Sequence, residues 1–383
     1  MDASKRIVWI CQWYPHEEKP YEGDFIQRHA QAVAQFMPIA TFACFKHPSK
    51  KGIFTNQNGN LTETIIYYRS IKTGIDKLDN FLRWVRWFSI LKKQLLAYEK
   101  QFGAPHLLHC HILLNAGWLG LWAKKRWKIP FLATEHWSGY MPGAVNGYKK
   151  YNSWSKKKLK QIISEAEIVT GVSNALIEQL KLIQPNGKFL RVPNVVNENI
   201  FNYQPIKKNT ENPVFIHIST GSPQKNIEGI LAGFVIFCQK YPAAKLIMVC
   251  PKNDKRYPIP KEIEQNLIWE SDMPQNKLAN LMRVANGCIL YSNYETFGCV
   301  VIEAQALGIP VIASNISVLQ ELVIEGKNGT LASLQNPSDL ANALEKMMQT
   351  SFNHEAISSD TLRQFSYQKI GEEFIHIYQA ILG

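Results

Sequence analysis

The chain has 383 residues, a net charge of +12 at pH 7, and 46% apolar and 19% charged residues. These proportions are those of a globular protein and exclude extended disorder, while the length predicts two domains with separate cores. The longest apolar runs are shorter than the roughly 20 residues that span a bilayer, so any membrane contact is expected to be peripheral.

Short apolar runs alternate with segments of helical pattern through the first half of the chain. The predicted strands are residues 5–13, 38–45, 64–69, 106–111, 130–135, 168–172 and 188–192. The predicted helices are residues 25–36, 78–101, 114–127, 150–166 and 173–183. This alternation indicates a parallel sheet covered by helices on both faces.

The same alternation of strands and helices begins again after a polar stretch rich in Asn and Pro. This stretch, residues 196–212, is typical of a linker. Further strands are predicted at 213–218, 244–250, 267–270, 287–291 and 310–313, and helices at 225–240, 274–285, 299–307 and 336–349. The last segment, FSYQKIGEEFIHIYQAIL, has the apolar spacing of a closing helix.

The predicted fold class is therefore α/β, with two doubly wound, Rossmann-like domains. We place the first domain at residues 1–196 with 365–383 added, and the second at 197–364. Doubly wound sheets bind ligands beyond the carboxyl ends of their strands, so the site is expected in a cleft between the domains.

Charge and cysteine content narrow the possible partners and the compartment. The basic excess lies within residues 1–200, which predicts an anionic partner for the first domain: a phosphorylated acceptor, an acidic membrane surface or nucleic acid. A basic surface that serves only solubility is the alternative.

Seven scattered cysteines without a C-x-x-C pair predict reduced thiols, with neither zinc nor disulfides. The beginning, MDASKRIVWICQWYP, is typical of a buried strand rather than a signal peptide, so we expect a cytoplasmic protein that can also work at the inner face of the membrane.

The stretch ETFGCVVIE, residues 295–303, carries the strongest chemical signal. A predicted strand ends in a polar loop, Gly298 lets the backbone approach a ligand, and a helix then begins. The free N–H groups of Phe297, Gly298, Cys299 and Val300 suit a diphosphate. The carboxylate of Glu295 would face a sugar, and that of Glu303 a pair of hydroxyls, because each carboxylate accepts several hydrogen bonds.

The wider pattern E-T-F-G-x4-E-A-x-A-x-G-x-P-V-I-A resembles the signature of the retaining glycosyltransferases of family 4, which have the GT-B architecture. The resemblance extends over almost the whole chain through GDFIQRHA, HLLHCH, TEHWSGY, GVSNAL and VPNVVN, in the expected order. It implies two domains facing across a cleft, and a last helix that crosses back onto the first domain. It also implies transfer of a sugar from a nucleoside-diphosphate sugar, with retention of the anomeric configuration.

The resemblance assigns roles to further residues. Gly23 lies in a loop that runs along the donor diphosphate, and His136 touches the transferred sugar or the acceptor. Lys225 binds the diphosphate, whereas Thr220 stands where the family usually has an arginine, so either its hydroxyl or another basic residue must serve there. His109 and His111 end an earlier strand and are equally compatible with a structural and a functional role.

No D-x-D sequence is present, which predicts a transferase that needs no metal, and no cofactor is expected because the nucleotide sugar is a substrate. The absence of G-x-x-x-x-G-K-[ST] and G-x-G-x-x-G argues against a kinase or a dehydrogenase.

Residues 78–95 mix Trp and Phe with Arg and Lys, and are compatible either with a helix at an anionic membrane interface or with a helix packed on the sheet. The basic clusters at 124–128 and 156–160 favour a docking surface. No nucleic-acid module is present, so no nucleic-acid partner is expected.

These observations predict a metal-independent hexosyltransferase acting on a saccharide or lipid-linked acceptor of a cell-envelope glycan. The catalytic residues are Glu295 and His136. Two alternatives stay open: a phosphorylase or epimerase of the same architecture, and a non-catalytic protein that binds a membrane or a partner through a decayed donor site.

Overall fold

The computed structural model describes residues 5–69, 73–205, 211–251 and 257–383. Two sheets follow one another along the chain, the first with eight strands and the second with six. The predicted linker at 196–212 lies partly outside the described residues, and the domain limits given above stay a prediction. None of the described helices combines the length and the apolar character needed to cross a bilayer.

The first sheet has the order β3-β4-β2-β1-β5-β6-β7-β8. Its strands are β1 Ile7–Cys11, β2 Ile39–Lys46, β3 Gly52–Asn58, β4 Leu61–Tyr68, β5 Leu107–His111, β6 Phe131–Glu135, β7 Ile168–Gly171 and β8 Phe189–Arg191. The helices between them are α1 Asp24–Ala34, α2 Asp76–Phe102, α3 Leu113–Trp127, α4 Ser153–Glu165 and α5 Asn174–Ile183. The central strands β1, β5 and β6 are buried along their whole length, as expected of a parallel sheet with helices on both faces.

The sheet departs from the prediction at one edge, where β3 pairs antiparallel with β4. This strand was not predicted because its sequence, GIFTNQN, lacks apolar alternation and most of its side chains are exposed. Asn58 pairs with Leu61 across the two-residue turn Gly59-Asn60, in which Gly59 has φ +56°, so this Gly-Asn pair was the signal for a hairpin. The described first sheet is therefore parallel, as expected, except for this added edge strand.

The second sheet is parallel throughout, with the order β11-β10-β9-β12-β13-β14. Its strands are β9 Val214–Ile218, β10 Lys245–Val249, β11 Leu267–Glu270, β12 Gly287–Leu290, β13 Val311–Ser314 and β14 Gly329–Ala332. The helices in this part of the chain are α6 Ile227–Lys240, α7 Gln275–Arg283, α8 Cys299–Ala306, α9 Ser317–Gln320, α10 Pro337–Gln349, α11 His354–Phe365 and α12 Tyr367–Leu382. The short elements β14 and α9, and the helix α11, were not predicted.

The last helix, α12, belongs to the core of the first domain. Its residues Ile370, Phe374 and Tyr378 are fully buried in one cluster with Trp9 of β1 and Ile26 of α1. The predicted crossing of the last helix back onto the first domain is therefore observed.

The topology fixes where a ligand can bind. In each sheet the strand order reverses beside its first strand, between β1 and β5 in one sheet and between β9 and β12 in the other. Loops that leave adjacent strands at such a point diverge and open a crevice. The two crevices face each other, and a single cavity between them is bordered by residues that follow β1, β6, β9 and β12.

Candidate active site

A cavity of about 420 Å³ lies between the two domains. Nine of the ten predicted site residues border it, namely Glu295, His136, Lys225, Thr220, Phe297, Gly298, Cys299, Val300 and Glu303. The tenth, Gly23, does not. It precedes α1, and a side chain there would approach the backbone of Trp13 to 2.6 Å, so Gly23 shapes the loop beside the bordering residues Tyr21 and Asp24.

The loop from Glu295 to Gly298 leads into α8 and borders the cavity. Gly298 has φ +102°, in the region that favours glycine, and this turn directs the start of α8 toward the cavity. The backbone carbonyl of Thr296 accepts a hydrogen bond from the hydroxyl of Ser173 at 2.7 Å, so the first domain holds this loop in place. Phe297 packs against Phe365, which leaves its backbone rather than its ring for a ligand.

Lys225 and Glu295, both from the second domain, form an ion pair at the border of the cavity. The Nζ of Lys225 lies 2.6 Å from Oε1 of Glu295, and both side chains are largely buried. Two further bonds join their loops: the side chain of Gln224 donates to the carbonyl of Tyr294 at 2.8 Å, and the amide of Asn293 donates to the carbonyl of Gln224 at 2.8 Å. The predicted diphosphate lysine and the predicted sugar carboxylate are thus neighbours on a rigid frame.

Glu303 is paired with Arg28, which comes from α1 of the first domain. The distance from Nη1 of Arg28 to Oε1 of Glu303 is 2.9 Å, and Nη2 of Arg28 lies 3.0 Å from Oδ2 of Asp24. Burial raises the pKa of Glu303 above its ordinary value, and Arg28 opposes that effect. Burial works against the charge on Arg28, but the carboxylates of Asp24 and Glu303 outweigh it and raise the pKa of Arg28.

His136 reaches the cavity from the end of β6, held by Glu135. The carboxylate of Glu135 accepts backbone hydrogen bonds from His136 at 2.7 Å, Trp137 at 2.8 Å and Leu113 at 3.1 Å. Burial raises the pKa of Glu135 to about 7, although these bonds lower it. Burial and the nearby His29 lower the pKa of His136 well below its ordinary value, so His136 is neutral near pH 7 and can donate or accept one hydrogen bond at each nitrogen.

A layer of buried histidines lies behind His136. In His109 both ring nitrogens are bonded, to the hydroxyls of Tyr378 at 2.8 Å and Thr134 at 2.6 Å, which gives this residue a structural position. His111 is also buried, and its Nδ1 lies 3.2 Å from Nε2 of His136. His111 therefore supports His136 from behind and does not border the cavity.

His29, His111 and His136 bring three potential metal ligand atoms within 4.8 Å of one another. Their hydrogen bonds limit how many lone pairs they can offer. Nε2 of His29 must carry its hydrogen, because it faces the carbonyl of Pro193 at 2.8 Å. The bond between His111 and His136 uses one hydrogen and one lone pair, which leaves an N–H on one of their two outer nitrogens. Three-histidine coordination would therefore require that bond to break.

Several residues at the cavity were not among the predicted site residues, although some of them lie within the motifs GDFIQRHA and VPNVVN. Arg28, Asp24 and Phe25 come from α1, and Asn194 from the segment that leaves the first domain. At the opposite end, Ile218, Val249, Met273 and Leu278 form an apolar wall beside Asp272. A helix face or a loop becomes part of a site only when the other domain packs against it, and the linear sequence does not reveal that packing.

Two doubly wound domains around such a cleft define the GT-B class of glycosyltransferases. Among solved structures, sucrose-phosphate synthase from Thermosynechococcus elongatus superposes with a TM-score of 0.77 at 20% identity, covering 98% of both chains. The Anabaena protein Alr3699/HepE, in complex with UDP and glucose, superposes with a TM-score of 0.68 at 15% identity over 98% of this chain and 100% of that one.

The sequence matches two family models that meet between the domains. Residues 52–199 match Glycosyltransferase Family 4, and residues 199–365 match Glycosyl transferases group 1. The chain belongs to the family 4 glycosyltransferases.

Curated relatives agree with this assignment. The putative teichuronic acid biosynthesis glycosyltransferase TuaC of Bacillus subtilis is 23% identical over 96% of this chain and 94% of that protein. The N-acetyl-alpha-D-glucosaminyl L-malate synthase of Bacillus anthracis is 24% identical, and that alignment spans 57% of this chain and 61% of the enzyme.

Proposed function

We propose that this glycosyltransferase moves a hexose from a nucleoside-diphosphate sugar to a saccharide or lipid-linked acceptor of a cell-envelope glycan, with retention of configuration. The observation that carries the proposal is the meeting of Glu295, Lys225, Glu303 and the start of α8 around one cavity between the domains. The UDP and glucose bound to the Anabaena protein, and the pathway in the name of the Bacillus subtilis relative, support the donor and acceptor classes.

The proposed donor lies along the cavity from one end to the other. The base rests on the apolar wall near Met273 and Leu278, and the ribose hydroxyls bond to Glu303. The diphosphate meets the N–H groups at the start of α8 and the ammonium of Lys225. The sugar then lies between Glu295 and the neutral ring of His136.

The proposed transfer takes place on one face of the sugar. The bond between the anomeric carbon and the diphosphate oxygen breaks, and the acceptor oxygen forms the new bond to that carbon. The acceptor proton passes to the departing phosphate oxygen, so no protein base is required. Glu295 stabilises the positive charge on the sugar, and Lys225 stabilises the negative charge on the leaving group. Closure of the domains excludes water from the reaction.

We propose that no metal takes part, because Lys225 and the α8 amides supply the positive charge that the leaving diphosphate needs. Activity is expected to stay within about twofold after dialysis against EDTA, since no Lewis acid contributes to the rate. Nucleoside-diphosphate release before and after dialysis checks this. Loss of activity that one equivalent of Zn²⁺ restores would contradict it and point to His29, His111 and His136.

The first domain presents an exposed aromatic and basic surface that we propose contacts an anionic membrane. This aromatic–lysine surface consists of Phe81, Trp84, Phe88, Trp118, Trp122, Trp154, Lys92, Lys124, Lys125, Lys128 and Lys158 on α2, α3, α4 and the residue after α3. Phe81 and Trp154 are 58% and 54% exposed, and Nζ of Lys158 lies 4.6 Å from the centre of the Trp118 ring. On such a surface, aromatic rings insert between the lipid headgroups, and lysines bind the negative charges of those headgroups.

Cosedimentation with vesicles tests this surface. We expect the wild type to bind vesicles that contain phosphatidylglycerol, and the double variant Phe81→Ser, Trp154→Ser to bind about tenfold less, because two apolar rings are lost. Leu182→Ser is the control, since Leu182 is 77% exposed on α5, outside the surface. Equal binding to neutral phosphatidylcholine vesicles, or no effect of the double variant, would refute the proposal.

The decisive test of the function is nucleoside-diphosphate release from a panel of UDP-, GDP- and ADP-sugars, with a crude lipid extract as acceptor. We expect release from one donor, and an anomeric configuration in the product that matches the donor. An inverted product would refute retention. Folded protein that binds no nucleotide and releases none would favour the non-catalytic alternative.

A further inference from the structure

The cavity has two cationic side chains among its described residues, and they come from different domains. Lys225 follows β9 of the second domain, and Arg28 lies in the second turn of α1 in the first. Position 220, where the family resemblance leads one to expect an arginine, is occupied by Thr220 at the border of the same cavity.

Each cation is bonded to one of the carboxylates assigned to the donor. Lys225 holds Glu295 at 2.6 Å, and Arg28 holds Glu303 at 2.9 Å. Within each pair the charges cancel, and the cavity is also bordered by the carboxylates of Asp24 and Asp272. A diphosphate that enters brings negative charge, and the cations can then turn from the carboxylates toward the phosphate oxygens, which frees carboxylate lone pairs for the hydroxyls of the sugar and the ribose.

Arg28 has capacity for a further bond. Its guanidinium donates to Glu303 and to Asp24, while its Nε is buried without an acceptor among the described residues. A buried N–H without a partner is costly, and the planar guanidinium fork matches a phosphate group. Asp24 also accepts from the side chain of Gln275 at 3.3 Å, so this network joins α1 to both α7 and α8 across the cleft.

We propose that Arg28 supplies, from the first domain, the second positive charge for the donor diphosphate that Thr220 cannot supply. The inference rests on the proposed function, because it assumes a nucleoside-diphosphate donor in this cavity. It makes both domains necessary for recognition of the diphosphate, whereas the ribose and the base are bound chiefly by the second domain. Arg28 is then a donor-binding residue rather than a group that only positions Glu303.

Calorimetric titration with nucleoside, nucleoside monophosphate and nucleoside diphosphate separates these roles. The three ligands are used with uracil, guanine and adenine as the base. For the preferred base, Arg28→Gln is expected to weaken diphosphate binding by about ten- to hundredfold, the range for a hydrogen bond between charged groups, and to leave nucleoside binding unchanged. Thr220→Arg in the Arg28→Gln background is expected to restore most of the loss.

Two controls distinguish a loss of binding from a loss of folding: the variant Arg28→Lys, and thermal melting of every variant. Lysine retains the charge without the fork, so an intermediate affinity is expected, and all variants must unfold cooperatively. Equal weakening of nucleoside and diphosphate would show that Arg28 only positions Glu303 at the ribose, and would overturn the proposal. An unchanged diphosphate affinity in Arg28→Gln, or the absence of rescue by Thr220→Arg, would overturn it too. If the wild type binds none of the nine ligands, the proposed donor class fails first, and this inference fails with it.

Discussion

Replacement of Glu295 by Gln is expected to lower the turnover number by about 10²- to 10³-fold, the usual cost of removing one electrostatic contact to a transition state. Glutamine keeps the size of the side chain but loses the negative charge that would face the developing positive charge on the sugar. The substitution also leaves Lys225 without its partner at 2.6 Å, so the diphosphate gains a free ammonium. Donor affinity should therefore hold or rise, and the loss should appear in kcat.

Glu303→Gln is the matched control, because this carboxylate borders the same cavity and is assigned to the ribose. It is expected to raise the KM for the donor with a smaller change in kcat. Steady-state kinetics with the donor that the panel identifies would separate the two effects. If Glu295→Gln raised KM and left kcat intact, Glu295 would be a binding group only, and the proposed mechanism would be wrong.

Replacement of Phe374 by Ala is expected to lower the free energy of unfolding by about 3–5 kcal/mol, the cost of emptying a buried phenylalanine site. Phe374 lies in α12 and is fully buried. Its ring centre is 6.0 Å from that of Trp9, 5.1 Å from His29 and 5.3 Å from His109. The space left by the missing ring would lie next to His29 and His109, behind His136, so the packing that supports His136 should weaken as well.

Urea unfolding monitored by circular dichroism measures this change. Phe374→Leu keeps most of the apolar volume and should cost clearly less than the alanine variant. Phe352→Ala, at a half-buried position in the second domain, is a further control that leaves the histidine layer intact. If Phe374→Ala left both stability and activity unchanged, α12 would not be part of the core that supports the site.

Most of the fold could be predicted from the alternation of apolar runs and helical segments, since buried parallel strands are continuous apolar sequences. The failures have physical causes. β3 is an exposed edge strand whose ladder is made by the backbone, so its side chains carry no apolar pattern. β14 has the sequence GTLA, without an apolar run, and it lies among Gly, Asn and Ser residues that are typical of a loop.

The site was predictable where one local segment carries several of its groups. Glu295, Gly298 and Glu303 lie within nine residues, and strand, turn and helix can all be read from that stretch. Arg28 lies within the motif GDFIQRHA but was not predicted, because the motif does not distinguish this arginine from its neighbours. Its significance comes from a bond to Glu303, 275 positions away, which exists only after two domains have packed together.

The return of α12 to the first domain has a consequence for synthesis on the ribosome. The strands of the first sheet are complete once β8 has emerged, yet the apolar cluster that receives Ile370, Phe374 and Tyr378 stays incomplete until α12 has been translated. The second domain, whose strands and helices from β9 to α11 are contiguous, can close its own core before then. We therefore expect the first domain to finish folding last although it is made first, with an apolar surface exposed to chaperones during the translation of roughly half the chain.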